Sequence, residues 1–537
     1  MSNRLPWYHC TTIYQIYPRS FYDSNGDGIG DLRGIIQKLD YVRDLGFETI
    51  WFSPFFASPQ QDFGYDISDY TNIAPEYGTL EDALELIAAV HQRGMKIVLD
   101  MVMNHTSSEH PWFKESRSSR DNPKADWYIW RDQPNNWKSL TGGSGWHYAP
   151  ERKQYYWASF LPFQPDLNYR NPQVKQTMFD IVRFWLDKGV DGFRLDIFNV
   201  IYKDATFRDN PFAWSLIPSE SNPAGFFQRP QYNLNLPENF AFAKELRQVA
   251  REFGEKLLLG EVSGGRETIR KFLGEETNDG LTLVFDFEMM GFTFTADYFR
   301  HLIGETERHF PPPFVPVYVF SNHDRRRSIE RLGGDNQKAK VLHMLQLTVR
   351  GVPCMYYGEE IGMRNVRLPF HTALDPLPRK YRSIPRFIFD LLGTTINRDE
   401  VRTPMQWDAT PQAGFSSAAQ TWLPVHKNYP SVNAANQRGN PDSLLETIRR
   451  LLQVRGQWMA LREGGLEWIL ETPPDVLAYR RTHPEGTLCV FLNFSPQEQS
   501  FVFNAGEIAF NLSADDGYQD GHIHLGGYGG LMLAASH

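Results

Sequence analysis

Short apolar segments of strand length alternate with amphipathic helical segments through most of the 537-residue chain. We predict strands and helices in turn at 11–21, 35–46, 48–56, 79–94 and 96–104. Thr79 and Gly94 are residue types that begin and end a helix. Regular alternation of this kind favours parallel strands joined by helical crossovers. The sequence therefore predicts an α/β fold, and the chain is long enough for an eight-stranded barrel with additional domains.

Two long segments interrupt this alternation. Residues 105–168 follow the third strand and are rich in Trp, Tyr, Pro and Gly without helical periodicity. Residues 362–437 follow a segment at 352–360 that we predict to be the eighth strand. Loops of this length in compact proteins are usually functional. Both segments leave the carboxyl ends of strands, where parallel barrels have their active sites. We therefore expect both segments to form walls of a functional site.

The carboxyl-terminal region has a different pattern. A helical segment at 444–462 is followed by alternating apolar and polar residues, which are typical of antiparallel strands. We therefore divide the chain into a barrel, an inserted domain and a C-terminal β-domain. Their predicted bounds are 1–104 with 169–462 for the barrel, 105–168 for the inserted domain and 463–537 for the β-domain.

Three acidic residues each follow an apolar, strand-forming segment. They are Asp196 in GVDGFRLDIFN, Glu261 in KLLLGEVSG and Asp324 in VYVFSNHDRR. Because the carboxyl ends of barrel strands meet at one edge, we expect these side chains to lie together. A nucleophilic carboxylate and a carboxylic acid that donates a proton suit hydrolysis of a glycosidic bond. Taken singly, each of the three also has a structural interpretation, as an ion pair, a surface glutamate or a local hydrogen bond.

The surroundings of these acids predict different ionisation states. Arg194 lies two residues before Asp196, so both side chains point to one face of a strand. A neighbouring arginine favours the ionised form of a carboxyl, as a nucleophile requires. Burial after an apolar strand would raise the pKa of Glu261, as a proton donor requires.

Further polar residues follow the predicted strands and could bind a ligand. His105 ends the third strand, and Asp62 with Tyr65 lies in the loop after the second. His323 precedes Asp324, where an imidazole beside a carboxylate could grip neighbouring hydroxyl groups. Arg402 lies in the second long insertion. Structural roles for these residues, such as a tight turn at 62–65 or a solvated charge at Arg402, remain open at this point.

Composition excludes several classes of partner. The net charge is −9 and no long basic run occurs, which argues against nucleic acid and anionic membranes. No segment of about 18 uninterrupted apolar residues exists, and the first residues lack the apolar run of a signal peptide. Cys10, Cys354 and Cys489 are scattered without metal spacing, which favours free thiols. We expect a cytoplasmic protein that is a monomer or a small homo-oligomer.

Residues 23–31 resemble the first nine positions of a calcium loop. Oxygen donors recur at alternate positions: Asp23, Asn25, Asp27, the Ile29 carbonyl and Asp31. At the twelfth position, Gly34 replaces the usual bidentate glutamate. We predict a structural Ca²⁺ ion here, with another divalent ion or an empty Asx-rich turn as the alternatives.

Together these residues resemble the α-amylase superfamily, glycoside hydrolase family 13, and within it the oligo-1,6-glucosidase and α-glucosidase group. The matching stretches occur in family order and include YPRSFYDSNGDGIGD, DFGYDISDY, NHTSSEHPWF, QPDLN, GFRLD, NHD and RTPMQWD. The resemblance covers nearly the whole chain. It implies a (β/α)8 TIM barrel, a domain B between the third strand and third helix, and a C-terminal antiparallel β-sandwich.

The resemblance also implies a role for each residue by its position. Asp196 would be the nucleophile, Glu261 the general acid/base, and Asp324 would bind sugar hydroxyls in the transition state. The pocket for a non-reducing terminal glucose would comprise Asp62, Tyr65, His105, Arg194, His323 and Arg402. In exo-acting relatives, Asp62 would pair with Arg402 to hold the chain end. The loop at 23–31 matches the calcium loop of these relatives.

The implied reaction is retaining hydrolysis of a small α-glucoside through a covalent glucosyl-enzyme, with the two carboxyls about 5–5.5 Å apart. The chain departs from its relatives at two positions. Ile197 follows the nucleophile and favours α-1,6 specificity, and Arg325–Arg326–Arg327 follows Asp324. A transglucosidase or a sugar isomerase, of the sucrose isomerase or trehalose synthase type, would use the same intermediate. A non-catalytic transporter partner and an endo-acting amylase are further alternatives.

Overall fold

The computed structural model describes residues 5–219, 221–391, 396–504 and 506–535. Parallel strands form a barrel in the order β6-β5-β4-β3-β2-β1-β8-β7, and a bridge between Phe285 and Val317 closes it. The strands are β1 Ile13–Ile16, β2 Thr49–Phe52, β3 Lys96–Met101, β4 Gly192–Leu195, β5 Leu257–Gly260, β6 Leu283–Val284, β7 Val317–Val319 and β8 Val352–Tyr356. The predicted (β/α)8 barrel is confirmed.

A helix follows each strand and packs on the outside of the barrel. These helices are α1 Leu32–Leu45, α2 Leu80–Gln92, α3 Pro172–Asp187, α4 Pro237–Arg251, α5 Arg266–Leu273, α6 Ala296–His309, α7 Asn336–Thr348 and α8 Leu444–Gln457. Thr79 and Asp82 form a capping box at the start of α2. Helix α1 begins earlier than the sequence predicted because the side chain of Asp31 caps it by accepting a hydrogen bond from the Gly34 amide.

The sequences of the barrel strands are mostly apolar because both of their faces are buried. In β1, Ile13 belongs to the cluster that fills the barrel, whereas Tyr14 packs against the surrounding helices. The first predicted strand, 11–21, is shorter in the structure. It ends at Ile16, and Pro18–Ser20 forms a 3-10 turn. Proline lacks an amide hydrogen and therefore fits the start of such a turn better than a strand interior.

Three excursions leave the carboxyl ends of the strands and meet above the barrel. After β3, helix Pro111–Ser118 is followed by strands Trp130–Arg131, Trp146–Ala149 and Gln154–Trp157, which form a small antiparallel sheet. After β4, residues 201–219 and 221–236 lie in a long loop that the sequence did not single out. After β8, the chain forms helices Pro376–Lys380, Arg386–Leu391 and Ala434–Gln437 and several 3-10 turns.

Hydrogen bonds join these excursions to one another. The indole of Trp137 in the first donates to the backbone oxygen of Arg208 in the second, at 2.8 Å. Lys380 in the third donates to the hydroxyl of Thr141, at 2.9 Å, and to the backbone oxygen of Gly142, at 2.6 Å. The excursions therefore form a connected rim around the carboxyl end of the barrel.

The C-terminal region forms two antiparallel sheets around a shared apolar core. One has the order β9-β10-β11-β16-β13 and the other β12-β15-β14. The strands are β9 Gly465–Trp468, β10 Val476–His483, β11 Gly486–Asn493, β12 Gln499–Val502, β13 Glu507–Asn511, β14 Gly517–Gln519, β15 His522–Leu525 and β16 Gly530–Ala534. Phe491 and Leu531 of the first sheet pack with Ile523 of the second. Among the residues that are described, no helix has the length and apolarity needed to span a membrane.

A buried arginine fastens the first of these sheets to the barrel. Arg481 in β10 donates to the backbone oxygens of Thr348, at 2.5 Å, Gly464, at 2.9 Å, and Gly465, at 3.1 Å. Its side chain is fully buried, and burial lowers its pKa to about 9. The neighbouring Arg480 is exposed on the other face of the strand.

We expect Arg481→Ala to lower the free energy of unfolding by about 3 kcal/mol or more, because buried carbonyls lose their donor. Arg480→Ala removes the same side chain from the exposed face and should change stability by less than about 0.5 kcal/mol. Chemical denaturation of both variants measures the difference. Equal losses in the two variants would contradict the assignment of Arg481 as the fastening residue.

Candidate active site

The structure brings the three strand-end acids together at the carboxyl end of the barrel. Asp196 directly follows β4, Glu261 directly follows β5, and Asp324 lies in the turn after β7. Glu261 and Asp324 line a cavity of about 660 Å³ that the three excursions enclose. Asp196 is buried beside them, and Ile197, the next residue, lines the cavity.

A single guanidinium group, that of Arg194, binds two of these acids and a third carboxyl, Asp100. Nη1 of Arg194 lies 2.8 Å from Oδ1 of Asp196 and 2.9 Å from Oδ1 of Asp100, and Nη2 lies 2.5 Å from Oε2 of Glu261. The side chain of Arg194 is 1% exposed. Burial alone would lower its pKa, but the surrounding carboxylates raise it well above the usual value. Arg194 is therefore a permanent cation between three acids.

The ionisation of Asp196 differs from the sequence expectation. Burial raises the pKa of Asp196 well above its ordinary value, and the neighbouring charges of Glu261 and Asp100 raise it further. Arg194 opposes this shift without cancelling it. Because interacting carboxyls titrate as a group, the raised pKa means that this cluster keeps a proton at pH values where an isolated aspartate has lost it. The spacing of about 5–5.5 Å between the two carboxyls stays a prediction.

The backbone beside Asp196 is strained. Ile197 has a φ of +37°, a left-handed conformation that is rare for a β-branched residue. Its amide donates to Oε2 of Glu261 at 3.2 Å. Strained residues of this kind concentrate at functional sites, where the surrounding structure holds them in place. The strained turn places a backbone donor on the carboxyl of Glu261.

Asp324 contacts two arginines and a histidine. Its Oδ1 is 2.7 Å from Nη2 of Arg402 and 3.4 Å from Nη1 of Arg398, and its Oδ2 is 3.1 Å from Nε2 of His323. Burial alone would raise the pKa of Asp324, but His323 and the two arginines together hold it below the usual range. Asp324 is therefore ionised at neutral pH.

His323 is neutral because burial lowers its pKa to about 3. The amide nitrogen of Gln15 lies 2.8 Å from Nδ1 of His323, and the hydroxyl of Tyr65 lies 2.6 Å from Nε2. If Gln15 donates to Nδ1, the hydrogen of the neutral ring is on Nε2, the atom that faces Asp324 and Tyr65. The ring of Tyr65 stacks on the imidazole, with centroids 5.4 Å apart.

Asp62 pairs with Arg398, whereas the sequence had predicted a pairing with Arg402. Oδ1 of Asp62 lies 2.6 Å from Nη2 of Arg398, which also contacts the buried Asp375 at 2.9 Å. The side chain of Gln164 donates to Oδ2 of Asp62 at 3.0 Å. Arg402 instead donates to Asp324 and, through Nε, to the backbone oxygen of His323 at 2.9 Å. Two nitrogens of the Arg402 guanidinium bond to the turn after β7, and Arg398 is the arginine that contacts Asp62.

His105 lies behind this pocket. It is almost fully buried, and its Nε2 is 3.1 Å from the backbone oxygen of Tyr65. Burial lowers its pKa, so the ring is neutral. His105 therefore positions the segment that carries Tyr65 and Asp62.

The structure adds residues that the sequence analysis missed. Asp100 binds Arg194 and also accepts hydrogen bonds from the Trp51 indole, at 3.2 Å, and the Tyr65 hydroxyl, at 3.0 Å. An aspartate inside the apolar run KIVLDMVMN was a signal that could have been used. Gln164 is the first residue of the QPDLN stretch, but the sequence analysis gave it no role. Asp375 lies on a loop and Arg398 begins a 3-10 turn, and no local sequence pattern marks either of them.

The loop at 23–31 has the geometry of an Asx-rich turn. Asp23 accepts hydrogen bonds from the amides of Asn25, Gly26 and Gly28, at 3.1, 2.7 and 2.7 Å, and from the Ser416 hydroxyl, at 2.5 Å. In the part of the chain described, no group of three or more His, Cys, Asp or Glu side chains is arranged around a common metal position. The chemistry of the donors, which are carboxylate, amide and carbonyl oxygens, nevertheless fits Ca²⁺.

We expect Asp196→Asn to stabilise the protein at neutral pH. A carboxyl whose folded pKa is raised above the unfolded value of about 3.9 destabilises the fold increasingly as pH rises between the two values. The asparagine carries no such cost, so its advantage should be largest at pH 7 and vanish below about pH 3.9. Denaturation of both proteins across this range measures the difference.

Asp187→Asn is the matched control, because Asp187 lies at the end of α3 with a side chain that is 74% exposed. It should show little change in stability at any pH. A destabilised Asp196→Asn variant at pH 7 would contradict the account of the buried acid cluster.

Comparison with known proteins identifies the family. Residues 15–464 match the family described as the catalytic domain of alpha amylase. A probable alpha-glucosidase of Rhizobium meliloti is 40% identical over 90% of this chain and 89% of the relative. An oligo-1,6-glucosidase of Parageobacillus thermoglucosidasius is 36% identical over 92% of both chains.

Solved structures agree with this result. The crystal structure of the alpha-glucosyl transfer enzyme XgtA superimposes with a TM-score of 0.89 at 38% identity, over 99% of this chain and 100% of that one. The match extends beyond the barrel to the excursions and the C-terminal sheets. The chain therefore belongs to the alpha-amylase catalytic-domain family, glycoside hydrolase family 13.

Proposed function

We propose that this enzyme is a retaining, exo-acting α-glucosidase that removes the terminal non-reducing glucose from short α-linked oligosaccharides or disaccharides. The observation that carries the proposal is the pair of carboxyls, Asp196 and Glu261, bound to adjacent nitrogens of one buried arginine at the base of a cavity. Relatives named alpha-glucosidase and oligo-1,6-glucosidase, which match over about nine tenths of the chain, support it.

In this mechanism Asp196 attacks the anomeric carbon while Glu261 protonates the glycosidic oxygen. The C–O bond to the leaving group breaks, and glucose becomes covalently bound to Asp196 with inverted configuration. Glu261, now ionised, removes a proton from water, and the resulting attack releases α-glucose with net retention. The proton that the raised pKa keeps on the carboxyl cluster is the one that Glu261 would deliver.

Arg194 holds the carboxyls of Asp196 and Glu261 in position. Its positive charge lets Asp196 ionise when the proton lies on Glu261. The amide of Ile197 holds Oε2 of Glu261. Asp324, kept ionised by its cationic neighbours, would accept hydrogen bonds from sugar hydroxyls. Such bonds strengthen as positive charge develops on the sugar ring in the transition state.

The far end of the pocket accounts for exo action. Asp62, Arg398 and Gln164 form a connected cluster on one wall of the cavity. They would hydrogen-bond the hydroxyls of a chain-terminal glucose and leave no passage for a further sugar unit. An endo-acting amylase needs a groove that is open at both ends. The side chain of Ile197 lines the cavity beside Glu261, and we propose that it favours α-1,6 over α-1,4 linkages.

Transfer to a sugar acceptor is the alternative reaction. It uses the same glucosyl-enzyme and replaces the attacking water by a hydroxyl group. The structural similarity to an alpha-glucosyl transfer enzyme favours some transfer activity. Rearrangement of sucrose or maltose without release of free glucose would identify the protein as a transglucosidase or sugar isomerase.

The proposed function predicts that α-glucose appears first when isomaltose, maltose or an aryl α-glucoside is hydrolysed. Proton NMR during the first minutes of reaction distinguishes the anomers. Glu261→Gln should lower kcat/KM for isomaltose by roughly 10²–10⁴-fold, because the proton donor is lost. Glu267→Gln, on the exposed first turn of α5, is the control and should retain activity. Initial release of β-glucose would contradict the retaining mechanism.

We also propose that Ca²⁺ binds the 23–31 loop through oxygens of Asp23, Asn25, Asp27, Ile29 and Asp31. The ion would tie the end of β1 to the start of α1 and, through Asp23, to Ser416, which is a structural role. It would require the loop to exchange some of its internal hydrogen bonds for metal contacts.

If Ca²⁺ binds this loop, it should raise the melting temperature relative to chelator-treated protein, because a ligand that binds only the folded state stabilises it. Asp27→Asn should abolish the shift, whereas Asp44→Asn, at another exposed position, should preserve it. Differential scanning fluorimetry measures the effect. An equal shift in the Asp27 variant and the parent would overturn the assignment.

Cys10, Cys354 and Cys489 are buried free thiols, which supports our proposal of a reducing, cytoplasmic location. We also propose a monomer or a small homo-oligomer, which analytical ultracentrifugation would test.

A further inference from the structure

Three consecutive arginines follow the catalytic-site residue Asp324, and the structure separates their roles. Arg327 is fully buried and donates to the backbone oxygens of Tyr357, at 2.6 Å, and Val401, at 3.2 Å. It anchors the turn after β7 to β8 and to the loop that carries Arg402. Arg325 and Arg326 instead line the cavity.

A tight turn aims these two side chains. The backbone amide of Arg325 donates to the oxygen of Asn322 at 3.4 Å, and the Asn322 side chain accepts from the amide of Asp324 at 2.9 Å. Arg331 braces the same turn by donating to the backbone oxygens of Phe320, at 2.7 Å, and Arg326, at 3.1 Å. Arg331 also lines the cavity. We call Arg325, Arg326 and Arg331 the arginine wall.

The arginine wall lies beside the segment that follows β6, across the barrel from the loop after β2 that carries Asp62. The guanidinium of Arg331 is 5.6 Å from the ring centre of Phe292, next to Met290 and Gly291, which line the cavity. The glucose end is marked by the separate cluster of Asp62 and Arg398. A substrate whose terminal glucose contacts Asp62 and Asp196 would therefore present its aglycone to the arginine wall.

The arginine wall is suited to bind an anionic group, which a neutral sugar does not carry. Arginine forms paired, charge-assisted hydrogen bonds with carboxylate and phosphate groups. Burial lowers the pKa of Arg325, and it lowers that of Arg331 to about 10. Because burial disfavours the charged form, a nearby anion would stabilise the charged form of both side chains. An anion in the cavity would add to the contacts that these side chains already make. Three cations on one cavity wall also stand out in a chain whose net charge is −9.

We propose that the arginine wall selects α-glucosides whose aglycone carries an anionic group, a carboxylate or a phosphate, on the leaving-group side of the cavity. This specificity rests on the proposed α-glucosidase activity. It assigns Arg325 and Arg326 to substrate selection, with Arg331 as the residue that positions them.

Matched aryl glucosides test the proposal. The pair 4-carboxyphenyl and 4-carbamoylphenyl α-D-glucopyranoside differ in charge at nearly constant shape, and 4-phosphonophenyl α-D-glucopyranoside provides the phosphate-like arm. The measured quantity is the ratio of kcat/KM for the anionic substrate to that for the neutral one. We expect a ratio of at least about tenfold, as one charge-assisted hydrogen bond provides, and a decline of this ratio at high ionic strength.

Arg325→Gln and Arg326→Gln should each bring the ratio towards one. Arg251→Gln, at the exposed end of α4, removes a charge far from the cavity and should preserve the ratio of the parent protein. Because the ratio is taken within each protein, general losses of activity cancel. If a variant does not fold, the salt dependence of the parent still tests the proposal.

The anionic substrate with the higher ratio of kcat/KM, carboxyphenyl or phosphonophenyl glucoside, identifies the anionic group that the arginine wall prefers. Ratios of one or less with both anionic substrates would overturn the proposal. In that case, release of glucose from the carbamoylphenyl substrate would leave the α-glucosidase assignment intact. Failure to cleave any of the three would instead count against the proposed function itself.

Discussion

The buried guanidinium of Arg194 is the interaction on which the site depends. It lies within 3 Å of carboxyl oxygens from Asp100, Asp196 and Glu261, which come from three successive strands of the barrel. One cation among three acids leaves net negative charge in a buried place, and such a cluster lowers its energy by retaining a proton. A carboxyl that is ionised and a neighbour that is protonated are the two states that retaining hydrolysis needs.

The fold supplies this arrangement at a cost in stability. Parallel strands deliver side chains to one edge of the barrel, and the excursions after β3, β4 and β8 cover that edge. Covering the edge removes water, which raises the pKa of Asp196 and keeps His105 and His323 neutral. The left-handed conformation of Ile197 adds backbone strain beside the acids. Catalytic sites commonly retain strain and buried charge that the rest of the structure must offset.

The sequence predicted the barrel, the family and the meeting of the three acids, because strand periodicity and the motifs around Asp196, Glu261 and Asp324 are local signals. It missed the partner of Asp62, since Arg398 reaches this residue across 336 positions and only the folded chain shows which arginine faces it. The ionisation of Asp196 also depends on burial and on Asp100, neither of which an R-x-D pattern reveals. The roles of the three arginines after Asp324 separate only when their contacts are known.

Trapping the covalent intermediate tests the central claim most directly. A 5-fluoro-α-D-glucosyl fluoride reacts with a retaining α-glucosidase and slows the second step, so that the sugar stays on the nucleophile. After proteolysis, mass spectrometry should find one added fluoroglucosyl group on the peptide that contains Asp196, and the label should be lost in Asp196→Asn. A label on another residue, or turnover of the reagent by Asp196→Asn at the rate of the parent, would contradict the account.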